Sequence, residues 1–110
     1  MIEWNRVKDL RNEIGADAIG EVVELFFEEV EAEITKLRDL GDRSDLEAQL
    51  HFLKGSALNL GFADFSDLCH RGEIAAAKGQ AHSVDLTGVF TCYEASRAAF
   101  LAGLEQVIAT

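Results

Sequence analysis

His51 is the residue of this sequence best suited to chemistry, because a neutral imidazole is a nucleophile near neutral pH. Lys54 and Gly55 follow it by three and four residues, which places both beside it on one side of a helix. Lys54 could offset negative charge bound to the ring, and Ser56 could add a hydroxyl group. These residue types and spacings predict a site that binds a phosphoryl group on His51 and passes it to a carboxylate.

Gly55 sets His51 apart from an ordinary surface histidine. A glycine inside a helix costs about 1 kcal/mol relative to alanine, so some gain should offset that cost. Without a side chain at this position, the loops of another protein can approach the outer nitrogen of the imidazole. Spacing alone still leaves two alternatives, which are an inert surface histidine and a metal ligand.

The helix that carries His51 is predicted to turn it toward solvent. Its apolar residues recur every four or three positions and define a single stripe, formed by Leu46, Leu50, Leu53, Ala57 and Leu60. At ~100° per residue, His51 points roughly 140° away from the centre of this stripe. We therefore predict that the stripe is buried and that His51 is exposed.

Hydrophobic periodicity and short polar breaks predict a short first helix and four long ones. Their approximate bounds are 3–13, Asp17–Asp39, Ser44–Gly61, Ala63–Lys78 and Val84–Ala109. Asp17 and the capping box at Ser44 mark two of the starts. Because short loops favour antiparallel neighbours, the predicted fold is all-α, an antiparallel up-down-up-down four-helix bundle with a short additional N-terminal helix. Residues 1–110 are expected to form one stand-alone domain.

The second long segment of periodicity carries more apolar residues than a bundle core requires. Its core seam is predicted at positions spaced by four and three, namely Val23, Phe27, Val30, Ile34 and Leu37. Val22, Leu25 and Phe26 flank this seam. Together with Phe52 they are predicted to form a patch on which a partner docks. The alternative is that these residues only widen the buried side of the helix.

Composition narrows the class of partner. The 110 residues include 20 acidic and 10 basic side chains, which gives a net charge of −10. This charge repels nucleic acids and anionic membranes, so protein partners are predicted. No signal peptide or apolar stretch of ~20 residues is present, which favours a cytoplasmic location. Cys69 and Cys92 match no metal-binding spacing and are predicted to be reduced and buried.

The stretch from His51 to Phe62 closely resembles the signature of histidine-containing phosphotransfer domains, the Hpt family. The resemblance rests on a His-x-x-Lys-Gly-Ser core that ends in Leu-Gly, and it extends to Trp4, Phe26-Phe27, Leu68-Cys69 and Glu73. It implies a four-helix bundle in which His51 is phosphorylated. Lys54 and Gly55 would support the phosphorylated histidine.

A phosphorelay carrier is the function that this resemblance implies. A receiver aspartate would donate the phosphoryl group to His51, and His51 would donate it to another receiver. The partners would be receiver domains of response regulators or hybrid histidine kinases, and the carrier is expected to be a monomer. The sequence has no phosphate-binding loop for ATP, so the chain is not expected to be an enzyme. No cofactor is expected on the chain itself, because Mg²⁺ would bind the receiver.

Several residues fit the family pattern less well. By this resemblance, Glu29 occupies a position where some relatives have glutamine beside the histidine. Its carboxylate could orient the imidazole but would repel a phosphoryl group, and the alternative is a solvated glutamate. Gly72 stands where relatives tend to have leucine, so a looser or kinked fourth helix is expected. His70 and His82 match no motif position and are expected to be structural or solvated.

Three other functions are open to this sequence. One is a binding-only module that regulates a kinase or receiver without carrying phosphate. Another is the phosphoacceptor module of a chemotaxis-type kinase, which would receive phosphate from ATP through a separate protein. The third is a carboxylate-bridged metal bundle, which needs inward-facing Glu-x-x-His motifs. No such motif is present, so no metal site is predicted.

Overall fold

The computed structural model describes residues 1–109, without the side chain of Leu40. It contains five α-helices and a short 3₁₀ helix. The α-helices are α1 (Trp4–Ile14), α2 (Ala16–Leu40), α3 (Leu46–Leu60), α4 (Ala63–Ala77) and α5 (Leu86–Ala109), and the 3₁₀ helix is Ala81–Ser83. The predicted number and order of α-helices are therefore confirmed.

Two predicted helix starts differ in detail from the observed ones. Asp17 lies in the first turn of α2, whose N-cap is Gly15. The N-cap of α3 is Asp45 rather than Ser44. The backbone N–H and the hydroxyl of Ser44 instead donate to the carboxylate of Asp42, at 2.9 and 3.1 Å. The prediction of a capping box at Ser44 is therefore wrong, because the hydroxyl of Ser44 binds Asp42 in a local turn.

The helices form a bundle with α2 next to α3, α3 next to α4, and α4 next to α5. Helix α1 packs against α2, α3 and α5. The directions of α3 and α4 follow from two contacts, because His51 meets Glu73 whereas Lys54, later in α3, meets the earlier Ser66 of α4. Opposite order along the two helices means that α3 and α4 are antiparallel. The helical-bundle prediction is confirmed.

An aromatic cluster fills the core where α2, α4 and α5 meet. Phe62 and Phe100 are fully buried, with ring centroids 5.3 Å apart, and Trp4 of α1 stacks on Phe100 at 5.7 Å. All five residues of the predicted α3 stripe are buried as well. The buried stripe turns the opposite side of α3, which carries His51, outward.

Phe26 corrects the sequence prediction for α2. Its side chain is only 8% exposed, and its ring lies 5.0 Å from that of Phe62. Phe27 is half-buried and stacks under the guanidinium of Arg97 at 4.9 Å. Phe26 therefore belongs to the core, and its assignment as an exposed docking residue is wrong. Phe26 and Phe27 each lie three or four residues from Val23 and Val30, so helical periodicity could not decide which of the two is buried.

Gly72 corrects a second expectation. Helix α4 continues through Gly72 to Ala77, and Gly72 is buried. A Cβ atom at this position would lie 2.7 Å from Cδ1 of Leu50 and 3.2 Å from Cγ1 of Val84. The missing side chain therefore lets α4 pack closely on α3 and on the segment before α5. The glycine tightens this part of the bundle instead of loosening it.

Both cysteines are free thiols, as predicted. Burial raises the pKa of the Cys69 thiol to about 12, so this group is protonated at neutral pH. Cys92 is only half-buried. Within residues 1–109, no helix has the length and apolar character required to cross a membrane.

Candidate functional site

His51 lies on the outer side of α3, and 68% of its side chain is exposed, as predicted. The ring leans toward α4, where its Nδ1 atom lies 2.8 Å from Oε2 of Glu73. A carboxylate only accepts hydrogen bonds, so Nδ1 is assigned as the protonated nitrogen that donates. In this tautomer Nε2 carries the lone pair and is the nucleophilic nitrogen.

Lys54 reaches the same carboxylate from the next turn of α3. Its Nζ atom lies 2.7 Å from Oε1 of Glu73, and 21% of its side chain is exposed. The two oxygens of Glu73 therefore hold His51 and Lys54 separately. This arrangement brings together an exposed nucleophile and a cation that offsets negative charge.

The charge on Glu73 is maintained by its neighbours. The hydrogen bond from Lys54 lowers the pKa of the carboxyl group most, partial burial raises it, and the hydrogen bond from His51 lowers it further. The net pKa lies below its ordinary value, so Glu73 is ionised throughout the neutral range. Because the pKa of Glu73 is lowered in the folded state, its charge stabilises the fold at pH values above the ordinary pKa of a glutamate. This stabilisation is lost as the pH falls through the folded-state pKa.

Glu73 is a site residue that helical spacing does not predict and that the sequence indicates only through the family resemblance. The family resemblance instead offers Glu29, on the preceding helix, as a carboxylate beside the imidazole, with a solvated glutamate as the alternative. Glu29 is exposed and lines a different groove from the one that His51 lines. The sequence does contain a signal for the pairing of His51 with Glu73, because both residues are eleven positions from Phe62 at the α3–α4 turn. Residues equidistant from the turn of a helical hairpin lie opposite each other.

His70 is a second residue that lies nearer the site than expected. Its side chain is 52% exposed, and its Nδ1 atom is 3.9 Å from Oε1 of Glu73, one turn along α4. This distance is too long for a direct hydrogen bond. His82 is exposed in the 3₁₀ helix, as expected for a solvated residue.

Gly55 and Ser56 occupy different surroundings. A Cβ atom built on Gly55 would meet nothing within 4 Å, so the packing of the described residues does not require glycine there. Gly55 lies on the side of α3 opposite the buried stripe, and His51 lies between Gly55 and α4. Ser56 is half-buried and lines the groove on the α2 side. The structure therefore groups His51, Lys54 and Glu73 and separates Ser56 from them.

Exposed apolar side chains lie on α3, which carries Gly55, and on the neighbouring helix α2. Val22 and Leu25 of α2 are 36% and 52% exposed, and Phe52 and Leu58 of α3 are 39% and 57% exposed. We call these four residues the apolar face. Val22 and Leu25 line a groove of about 370 Å³ between α1, α2 and α3, with Phe26 among its walls. Leu58 lines a different groove, beside Lys54 and His70. Leu58 is an addition to the sequence prediction, and Phe26 is removed from it.

One of three comparisons with known proteins found a match. A family model described as "Hpt domain" matches residues 21–110, which is most of the chain. Searches of curated proteins and of solved structures found no match. Hpt domains are phosphocarrier modules without kinase activity of their own, and they interact with receiver domains in two-component signalling. The chain belongs to the Hpt domain family, whose function is histidine phosphotransfer.

Proposed function

We propose that His51 carries a phosphoryl group between receiver domains, accepting it from the phosphorylated aspartate of one receiver and donating it to another. The observation that carries this proposal is the pairing of Nδ1 with Glu73, which leaves the nucleophilic Nε2 unpaired on an exposed ring. Gly55 adds open space beside that ring for the loops of a receiver.

The transfer step balances with the groups at this site. Nε2 of neutral His51 attacks phosphorus, a P–N bond forms, and the P–O bond to the receiver aspartate breaks. The aspartate leaves as a carboxylate, and the phosphorylated ring keeps its proton on Nδ1. The ring gains positive charge in this step, and the Glu73 carboxylate at 2.8 Å stabilises it. The same reaction in the opposite direction passes the phosphoryl group from His51 to the aspartate of a second receiver.

Lys54 has a second role in this proposal. Its ammonium is held by Glu73 in the unphosphorylated protein, one helical turn from the imidazole. A phosphoryl group on Nε2 presents three negatively charged or polar oxygens, and a flexible lysine can turn toward them as a point cation. Its charge would then offset that of the bound group.

The remaining chemistry is assigned to the partner. The proposed carrier binds no cofactor, and the Mg²⁺ that assists transfer binds the acidic site of the receiver. The proposed partners are receivers of response regulators or hybrid histidine kinases. The carrier is proposed to act as a monomer, because its site is assembled from α3 and α4 of one chain.

The direct test is transfer from purified receiver domains that have been phosphorylated with acetyl phosphate in the presence of Mg²⁺. We expect acid-labile phosphate to appear on the chain within the lifetime of the phosphorylated receivers. Absence of label from every receiver and every kinase tested would instead support a binding-only module. Label that appears only with ATP and a separate catalytic domain would support the phosphoacceptor module of a chemotaxis-type kinase.

Replacing Glu73 with alanine should slow phosphoryl transfer by roughly 10- to 100-fold, by analogy with the loss found when the carboxylate that orients a metal-binding histidine is removed. The reason is loss of the acceptor that holds the proton on Nδ1 of His51. Imidazole ¹⁵N chemical shifts should show the Nδ1–H tautomer in the wild type and a mixture in Glu73→Ala. The Glu94→Ala variant on α5 serves as the control. Unchanged tautomer populations in Glu73→Ala would contradict the positioning role.

Replacing Gly55 with alanine should separate stability from function. The added methyl group meets no described atom within 4 Å, so the free energy of unfolding should rise by up to about 1 kcal/mol. Transfer should nevertheless become slower, because the methyl group occupies space that a receiver needs. Chemical denaturation and transfer kinetics on the same variant test both effects. A more stable protein with unchanged transfer would show that the partner does not approach Gly55.

A further inference from the structure

Helix α2 carries an unusual run of negative charge next to the apolar face. Between Asp17 and Glu33 it contains seven carboxylates and no basic residue. Two of them have roles inside the bundle, because Glu31 accepts hydrogen bonds from α5 and Glu33 accepts one from α3. The others are exposed, and none of them forms a salt bridge with another described residue.

The exposed carboxylates border the apolar face. Glu21, Glu24 and Glu28 recur at spacings of three and four, so they form one row along α2, which we call the acidic row. Residues one position further along, at Val22, Leu25 and Glu29, form the adjacent row. The apolar side chains of α2 therefore lie one row, or about 100° around the helix, from a line of like charges.

Negative charge also borders the other side of the site. The cleft that His51 lines is formed with two acidic residues at the start of α3, Asp45 and Glu47, and with Glu73. The nearby cations are already engaged, since Lys54 pairs with Glu73. Arg6, at the end of the groove, pairs with Glu13 and donates to a backbone carbonyl. The α2 side of the apolar face thus lies near exposed carboxylates that form no salt bridge among the described residues, whereas Glu73 is paired with Lys54.

The bundle itself gains nothing from the acidic row. Carboxylates spaced by three and four on one helix side repel each other and destabilise the helix. Only Asp17 lies in the first turn, where the helix dipole would favour a negative charge. A partner of complementary charge would convert this repulsion into attraction when it docks.

We propose that the apolar face and the acidic row together select receiver domains whose docking surface has an apolar centre and a basic rim. This inference rests on the proposed function and names the partner of the same site. A receiver brings its own cluster of acidic side chains to His51, so two negative sites must approach each other. Basic residues at the rim of the receiver offset that repulsion at the acidic row. The charges act on encounter and leave the phosphoryl-transfer step unchanged.

The test uses two groups of receiver domains phosphorylated with acetyl phosphate, one with basic and one with acidic residues around the acceptor aspartate. Transfer rates are measured against receiver concentration, which separates kcat/KM from the maximal rate. At low ionic strength, kcat/KM should be at least about tenfold higher for the basic group, and the difference should shrink as salt is added. The maximal rates should not depend on salt.

Two double variants with equal changes in net charge locate the effect. Glu24→Lys/Glu28→Lys reverses charge in the acidic row, whereas Glu94→Lys/Glu105→Lys reverses it at exposed sites of α5, which packs mainly on α4 and α1. The first variant should lower kcat/KM for basic receivers about tenfold with an unchanged maximal rate, and the second should have little effect. Circular dichroism establishes that both are folded.

The outcomes separate this inference from the proposed function. Transfer to His51 at saturating concentrations, with no dependence on salt or on receiver charge, would overturn the selection by charge and leave the carrier function in place. Equal losses in the two double variants would also overturn it, because only net charge would then matter. Absence of transfer from both receiver groups at saturation would overturn the carrier function, and the inference with it.

Discussion

The His51→Gln variant is expected to accept no phosphoryl group from any phosphorylated receiver, while its fold and free energy of unfolding remain close to those of the wild type. Glutamine has no nucleophilic nitrogen, because its amide lone pair is delocalised. Most of the His51 side chain is exposed, so its removal costs little packing. Receiver-dependent labelling followed by acid treatment measures the loss, and urea denaturation measures stability.

His70→Gln is the matched control for this variant. His70 is also an exposed histidine near Glu73, on α4, but its Nδ1 atom is 3.9 Å from the carboxylate and not in hydrogen-bond contact. This variant should still accept phosphate at His51. Label that persists on His51→Gln and disappears from His70→Gln would transfer the carrier role to His70. Loss of label in both variants would make His70 a requirement for transfer as well.

Phe26→Asp is expected to destabilise the protein by at least about 3 kcal/mol and to leave little folded protein at room temperature. The substitution removes a ring that is only 8% exposed and lies 5.0 and 5.5 Å from the rings of Phe62 and Phe27. It also places a carboxylate against these apolar rings. Circular dichroism during urea denaturation measures the effect.

Leu25→Asp is the neighbouring control, because 52% of Leu25 is exposed on the apolar face. Its stability should stay within about 0.5 kcal/mol of the wild type. Transfer should slow, since a charge would then oppose the apolar contact with a receiver. A stable Phe26→Asp protein would contradict the assignment of Phe26 to the core. Unchanged transfer in Leu25→Asp would remove this side of α2 from the docking surface.

The position of Phe26 shows where periodicity stops being informative. Phe26 and Phe27 are adjacent on α2, and each continues an apolar stripe with Val23 and Val30 at helical spacing. Burial depends on how far α2 is rotated about its axis. That rotation is set by the neighbours it meets, above all Phe62, which comes from the turn between α3 and α4. Helical spacing in one segment carries no information about such a contact.

The same distinction applies to Gly72. A glycine in the middle of a predicted helix has two physical explanations, a weak point or a close approach of another element. The sequence favoured the first. The structure shows Leu50 and Val84 within 3.2 Å of the position where a Cβ atom would be. The close approach depends on the packing of three segments that are distant in the sequence, so it could not be derived from α4 alone.

The sequence by itself determined the helices, the buried stripe of α3 and the exposure of His51, because local periodicity defines which side of a helix is apolar. The spacing of His51, Lys54 and Gly55 likewise placed them together, since residues three and four apart are neighbours on a helix. Only the tertiary structure decided that one carboxylate, that of Glu73, holds the side chains of His51 and Lys54 at once. That choice depends on how α3 and α4 pack across their turn, which brings residues far apart in the sequence within 2.8 Å of each other.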